Sequence, residues 1–458
     1  MKNKALLVII SVACLILLIS GLPFISACSS TPSQTTAATQ TTQAAPQEKI
    51  LKIGTLVPLQ LKEGTEIQRW MDLFTKVVNE KGGWKIGNDI YKIQSIVYDG
   101  GINDVAKARA AAERLVLEDG VKFMVSNWGD IPSQTATITE PNKVLVLGCD
   151  FADETVMPGY DYFIRASGVY FGRGLSYVIQ KDMVAKGATT EISINAESQQ
   201  GEIANALWGA AAKLAGMNVL PGLLYPADTV DFSSVATKLM SLEPRPDLIE
   251  LSFVTGDQIT GIISALHDAG YEGFISPMNM NPNLLDNCIA KVGKEYMEGW
   301  ECLNFDPRGV TKDPEMLALI DRYTQEYGEF RAEGAFWVGP WFLFQDAVKN
   351  TNSVDVEVIK NYLQNSKHGV MTLDGFSQLF ARPDVENYKT IDVAPGHGVG
   401  IIRDGKLELL KTVSVKDQYL VSIKVYGLAD VYQKYWDQYG KPTFPDEPSL
   451  IDFADLNK

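Results

Sequence analysis

Leu51-Lys52-Ile53-Gly54-Thr55-Leu56-Val57 is a β-rich run closed by Pro58, and Ile67 to Glu80 after it spaces its apolar residues as an amphipathic helix does. The pairing then repeats. Tyr91 to Tyr98 reads as a strand, Asp104 to Asp119 as a helix and Val121 to Val125 as a strand; a helix follows through Thr135, and Val144 to Leu147 is a fourth strand. Strand alternating with helix predicts an α/β fold: a mainly parallel sheet covered by helices, with ligands at the carboxyl ends of the strands. The rhythm restarts after Arg165, where helices at 172–185, 201–215, 232–242 and 258–269 precede strands at 191–195, 222–224, 248–253 and 274–275. A second α/β unit is expected, without being a visible copy of the first. Helices at 315–327, 333–349 and 356–365 follow. The β-rich runs 391–393, 399–402 and 407–410 come next, the last two joined by an Asp404-Gly405 hairpin turn.

With 458 residues the chain is long enough for two or three domains at about 150 residues each. Its 46% hydrophobic and 21% charged residues are ordinary for a globular protein and argue against wholesale disorder or a polytopic membrane class. A net charge of -15 repels phosphate backbones, so nucleic acid is not expected as a partner. None of the five cysteines stands in CxxC spacing, and His267, His368 and His397 are scattered. No metal site and no cofactor are expected.

Residues 1–27 carry Lys2 and Lys4, an apolar run from Ala5 to Leu22 and the small residues Ser26-Ala27 before Cys28, the pattern of a secretory signal. Aliphatic, small, small, cysteine resembles the bacterial lipoprotein box, which implies cleavage before Cys28 and diacylation of its thiol. Ser29 to Glu48 holds no Val, Ile, Leu or aromatic residue, so it has too little apolar surface to offset ordering. Residues 28–48 are expected to be a lipidated flexible tether, about 20 residues with a span on the order of 25 Å.

GxSxG, HExxH, P-loop and EF-hand patterns are missing, so no catalytic residue is assigned. Gly396-His397-Gly398-Val399-Gly400 precedes a strand instead of opening a helix, and reads as a turn. The most informative loop is Val125-Ser126-Asn127-Trp128-Gly129-Asp130-Ile131-Pro132-Ser133, which joins a strand's carboxyl end to a helix that accepts Pro132 in its first turn. Free backbone N–H groups there suit an anion. Trp128 offers an aromatic wall, Ser133 a hydroxyl, and Asp130 either a helix cap or a partner for an ammonium group. Asp150, Phe151 and Ala152 leave the next strand at the same edge, and Cys149 reads as a packing residue. In the second unit the corresponding polar ends are Asn195 to Gln200, with Glu197 and Gln200, and Val254 to Asp257, with Thr255 and Asp257. Of the aromatic run Phe336 to Phe342, mostly helix core, one ring is expected to reach the cleft. Cys288 and Cys302, in an exported chain, are offered as a disulfide or as two thiols.

The order of these marks resembles the type I periplasmic solute-binding proteins of the leucine/isoleucine/valine-binding family, receptors of ABC importers. The resemblance spans most of residues 50–410. It rests on Leu51-Lys52-Ile53-Gly54, Val78-Asn79-Glu80-Lys81-Gly82-Gly83, Tyr98-Asp99, Ala112-Glu113-Arg114-Leu115-Val116, Phe163-Ile164-Arg165-Ala166, Asp231-Phe232-Ser233 and Pro246-Asp247. It implies two doubly wound α/β lobes joined by three crossover segments, with a ligand cleft between them. Lobe one is then 49–166 with 278–372, lobe two 167–277 with 373–425, and 426–458 a C-terminal wrap. It adds Tyr170 to the ligand-binding set of Trp128, Asp130, Ser133, Asp150, Phe151, Ala152, Glu197, Gln200, Thr255 and Asp257. It implies a monomeric, extracytoplasmic receptor, lipid-anchored through Cys28, that delivers a small solute to a permease. The solute is an amino acid, branched-chain or otherwise hydrophobic, or a related amide or aromatic acid. Gly129 and Asp130 stand where amino-acid receptors usually place small hydroxyl residues, and a carboxylate there repels a substrate carboxylate. The solute class stays open for that reason. A sensory receptor of the same fold and a secreted enzyme are the alternatives.

Overall fold

The computed structural model describes residues 47–458 except 103, 151–159, 167–171, 253, 255, 279, 305–306, 329, 331–333, 366–368, 385–390 and 396. The first lobe is built from β1 (Glu48–Val57), α1 (Lys62–Glu80), β2 (Trp84–Ile86), β3 (Asp89–Asp99), α2 (Val105–Glu113), β4 (Phe123–Asn127), α3 (Ile131–Thr139), β5 (Leu145–Gly148) and β6 (Phe163–Arg165). The helical run expected to Asp119 does reach Glu118, but its last turn, Arg114–Glu118, is a π-helix. Its sheet runs β2-β3-β1-β4-β5-β6, parallel except where β2 pairs with β3.

The second lobe follows with α4 (Arg173–Ala185), β7 (Thr190–Ala196), α5 (Gln199–Ala215), β8 (Asn218–Val219), β9 (Leu223–Tyr225), α6 (Ser233–Met240), β10 (Leu248–Leu251), α7 (Gly256–Asp268) and β11 (Phe274–Pro277). Its sheet is wholly parallel: β11-β10-β7, with β8 and β9 both paired to β7. The alternation in the sequence thus becomes two separate sheets, one mainly and one wholly parallel, each covered on both faces.

The chain does not return to the first lobe at 278 as the resemblance implied. In α8 (Pro282–Val292) the residues Leu284, Leu285, Cys288 and Val292 form one apolar stripe, and with Met297, Trp300 and Cys302 they join the core of the second lobe. The connection from β11 to α8 is only a few residues long, which keeps the helix beside its own sheet. β12 (Glu301–Asn304) and the short α9 (Pro307–Val310) come next. The first lobe resumes with α10 (Pro314–Tyr327), α11 (Gly339–Thr351) and α12 (Val356–Asn365), whose Met316, Ile320, Tyr323, Trp341, Phe344, Ile359 and Leu363 pack with Ile53, Trp70 and Phe74.

Two small antiparallel sheets complete the fold: β13 (Gly369–Thr372), β14 (Gly375–Ala381) and β15 (Ile391–Pro395), and β12 with β16 (His397–Arg403) and β17 (Lys406–Val413). The strand expected at 399–402 begins earlier, at His397, so His397 and Gly398, read as part of a turn, belong to β16. The Asp404-Gly405 hairpin is present, both residues at positive φ. α13 (Val415–Val425) and α14 (Ala429–Tyr439) close the chain, and within the expected wrap Tyr432, Trp436, Ile451 and Leu456 share a core with Tyr419 and Phe380. No helix among the described residues is long and apolar enough to cross a membrane.

Candidate functional site

Each sheet has one point where strand order reverses. In the first, the chain passes from β1 to β3 on one side and then to β4 on the other; in the second it passes from β7 to β8 and β9, then to β10. Such a reversal opens a crevice at the strands' carboxyl ends, because the two flanking connections leave over opposite faces. Trp128 and Asp130 follow β4, and Glu197 and Asp257 follow β7 and β10. The sequence-predicted loops therefore lie at the two crevices.

In lobe one the ends of β1 and β4 are tied together. Leu56 N–H donates to Asn127 Oδ1 at 2.8 Å, and Trp128 N–H donates to Leu56 O at 3.0 Å. Gly129 turns the chain with φ of 46°, Ile131 N–H closes the turn onto Trp128 O, and Pro132 sits in the first turn of α3. Trp128 is half-buried, its ring 4.2 Å from that of Trp337. Trp337 is thus the residue of the aromatic run that meets this loop.

The α3 terminus differs from expectation. Asp130 occupies the cap position, but its side chain accepts no capping hydrogen bond. Asp150, wholly buried at the end of β5, accepts the Ser133 N–H at 2.7 Å, and Ser133 Oγ donates to Asp130 O at 2.9 Å. The carboxylate that complements this helix comes from the neighbouring strand. It occupies an amide that the sequence reading had left for a solute. Trp128, Asp130, Ser133 and Asp150 are thus brought together, while Phe151, Ala152 and Tyr170 lie outside the described residues.

In lobe two Glu197 is exposed and donates its N–H to Tyr225 O at 2.7 Å. Ser198 caps α5 by accepting Gly201 N–H at 2.9 Å. A Cβ on Gly201 would stand 2.2 Å from Ala196 O, so only glycine lets the helix start this close to β7. Tyr225 hydroxyl donates to Gln258 Oε1 at 3.2 Å, and Gln258 Nε2 to Ala227 O at 2.9 Å, which links the Glu197 loop to the first turn of α7. Asp257, exposed, lies in that turn. Burial pushes the Tyr225 hydroxyl up to about 12, so it remains a donor at neutral pH. Thr255 lies outside the described residues, as do Cys28 and the side chain of Gln200.

Cys288 and Cys302 are not bridged; both are buried thiols held above the ordinary thiol range by burial. Three polar atoms at the crevices were not singled out from sequence: Ser126 Oγ, Asn127 Nδ2 and Ser252 Oγ are buried without a hydrogen-bond partner among the described residues. Asn127 stood inside the quoted loop, but nothing in the sequence signals that its amide reaches β1.

A family model described as periplasmic binding protein matches residues 61–387. Among solved structures, the leucine-binding protein LivK of Thermotoga maritima superposes with a TM-score of 0.63 at 18% identity, over 79% of this chain and 98% of its own. LivJ of Streptococcus pneumoniae, in complex with isoleucine, gives 0.63 at 16% identity, over 80% and 99%. A solute-binding protein of an ABC transporter from R. palustris, in complex with benzoate, gives 0.61 at 16% identity, over 80% and 96%. Comparison with curated proteins gives no match.

Proposed function

The chain belongs to the periplasmic binding protein family, and we propose that it is an extracytoplasmic, lipid-anchored receptor that closes its two lobes on a small solute and presents it to the permease of an ABC transporter. The observation that carries this reading is the placement of polar strand-end loops at the order reversals of both sheets, with the Trp128 and Trp337 rings in tilted contact beside one of them. Those rings suit a solute with an apolar or aromatic body, a hydrophobic amino acid or an aromatic acid. Glu197 and Asp257 supply negative charge in the second lobe for an ammonium group.

Leucine and isoleucine, benzoate and 4-hydroxybenzoate are the first probes. Solutes of these kinds are named for solved proteins of the same fold. A fitting solute present at about 100 times its dissociation constant stabilises the folded chain by about 2.7 kcal/mol, which a thermal-shift assay reads directly. In calorimetric titration, Trp128→Ala weakens that solute by about tenfold or more, the effect of losing one large aromatic contact of roughly 1.5 kcal/mol. A melting temperature unmoved by all four solutes overturns the assignment of these solute classes.

A further inference from the structure

β7 and β10 place two glutamates on one covered face of the second sheet. Leu248 pairs with Glu191 and Glu250 with Ser193, so both carboxyl groups leave the same face, on adjacent strands and two positions apart in register. Ile192, Ile194, Ile249 and Leu251 fill the opposite face. The glutamate face is covered by α4 and α5, whose Leu175, Val178, Met183 and Ala212 pack with Leu248. Glu191 is 0% and Glu250 2% exposed.

No cation among the described residues acts on either of them. Both oxygens of Glu191 and Oε1 of Glu250 have no hydrogen-bond partner among the described residues. Glu250 accepts from Ser276, its neighbour on β11. The charged groups on the surrounding elements are otherwise engaged or turned outward. On α4 and its C-cap, Lys186 pairs with Glu301 of β12 at 2.8 Å, Asp182 pairs with Lys411 of β17, Arg173 lies over the Trp208 ring and Lys181 is exposed. On α5, Glu202 and Lys213 are exposed. Asp247, before β10, accepts from Thr189 and Thr190. A carboxylate in this layer would be an uncompensated buried charge, and two would repel each other.

We propose that Glu191 and Glu250 form a proton-dependent lock in the second lobe: both keep their protons while α4 and α5 are packed on the sheet, and alkaline conditions that remove a proton loosen those helices. α5 starts directly after the Glu197 and Ser198 turn, so the loosening reaches that loop. Burial pushes Glu191 up to about 8, and burial with the neighbouring Glu191 pushes Glu250 up as well. The unfolded chain releases these protons near pH 4.5. Between that pH and the folded values the folded state holds more protons, so stability falls as pH rises. Each group raises the unfolding constant by up to tenfold per pH unit in that window.

The test compares the full-length chain with Glu191→Gln, Glu250→Gln and the double variant from pH 5 to pH 9. The expected result is a melting temperature that falls with pH more steeply in the wild type than in the double variant, with each single variant between them. Hydrogen exchange of α5 amides, corrected for intrinsic pH dependence, should accelerate at pH 9 in the wild type and not in the double variant. Infrared difference spectra, wild type minus each single variant, should show at pH 7 a protonated-carboxyl stretch that each substitution removes, above the contribution of other raised carboxyls such as Glu140 and Asp374. Equal pH slopes in wild type and double variant, or equal protonated-carboxyl intensity in the wild type and both single variants, would overturn the proposal. The infrared readout does not depend on the folding of the double variant, because it compares the wild type with the single variants.

Discussion

Ser126 is the extra residue in the ladder between β4 and β5: Val125 pairs with Leu147 and Asn127 with Gly148. It holds φ of 60°, a region that a residue with a Cβ occupies at a cost of about 1 kcal/mol, and its hydroxyl is buried without a partner among the described residues. Ser126→Gly should therefore stabilise the chain by about 1 kcal/mol, seen as a higher urea midpoint at unchanged slope. A lower midpoint would mean that the hydroxyl contributes to the fold. Asp150 argues in the other direction. Its carboxylate takes the amide that starts α3, so Asp150→Ala should cost about 1–2 kcal/mol, the loss of a helix cap. Asp130→Ala should cost less, since that side chain caps nothing. Trp128 and Ser133 were legible because a strand, a glycine and a helix-starting proline surround them. The role of Asp150 was not, because the capping partner is 17 residues away and only the parallel pairing of β4 and β5 brings it back.

Among the elements, β7 shows where pattern reading stops. Thr190-Glu191-Ile192-Ser193-Ile194-Asn195 alternates polar and apolar as a half-exposed strand does, yet every one of these residues is buried. Alternation gives the strand and its two faces; that α4 and α5 cover the polar face is a tertiary outcome. The longer elements, α1, α5, α7 and α10, were visible from apolar spacing because each buries one stripe. β13 and β14 were not, because their short runs carry no distinct period. The C-terminal tail adds a second case. Asp417 on α13 is 1% exposed and accepts from Ser449 Oγ at 2.8 Å, Leu450 N–H at 2.9 Å and Ile451 N–H at 3.1 Å, which ties the last segment down beyond α14. Hydrogen bonds to a charged acceptor are worth about 1.5–3 kcal/mol. In Asp417→Ala the Leu450 and Ile451 amides should exchange tenfold faster or more, with amides in β1 and β4 unchanged. If all of these slow together or quicken together, the tail is not a separately held segment.

For the molecule as a whole, the two-lobed α/β architecture could be read from the sequence, and the point where the chain changes lobes could not. Nothing in the local pattern of residues 278–304 says which sheet α8 will join; the short link from β11 does. The proposed attachment to a membrane concerns the entire chain, and physics separates its two candidate sources. A chain with a net charge of -15 is repelled by anionic headgroups, so electrostatic adsorption is not available to it. No helix among the described residues is fit to span a bilayer. If Cys28 carries two acyl chains, they are a sufficient anchor on their own, since one chain gives only marginal binding and a second makes it stable. The wild-type chain expressed in a bacterial host should then remain with the membranes in both low and high salt. Cys28→Ser should appear in the soluble fraction even at low salt, where any electrostatic attachment would be strongest. Retention of Cys28→Ser in the membranes at high salt would place the anchor in the uncleaved apolar run from Ala5 to Leu22, and release of the wild type by salt alone would remove the lipid from the account.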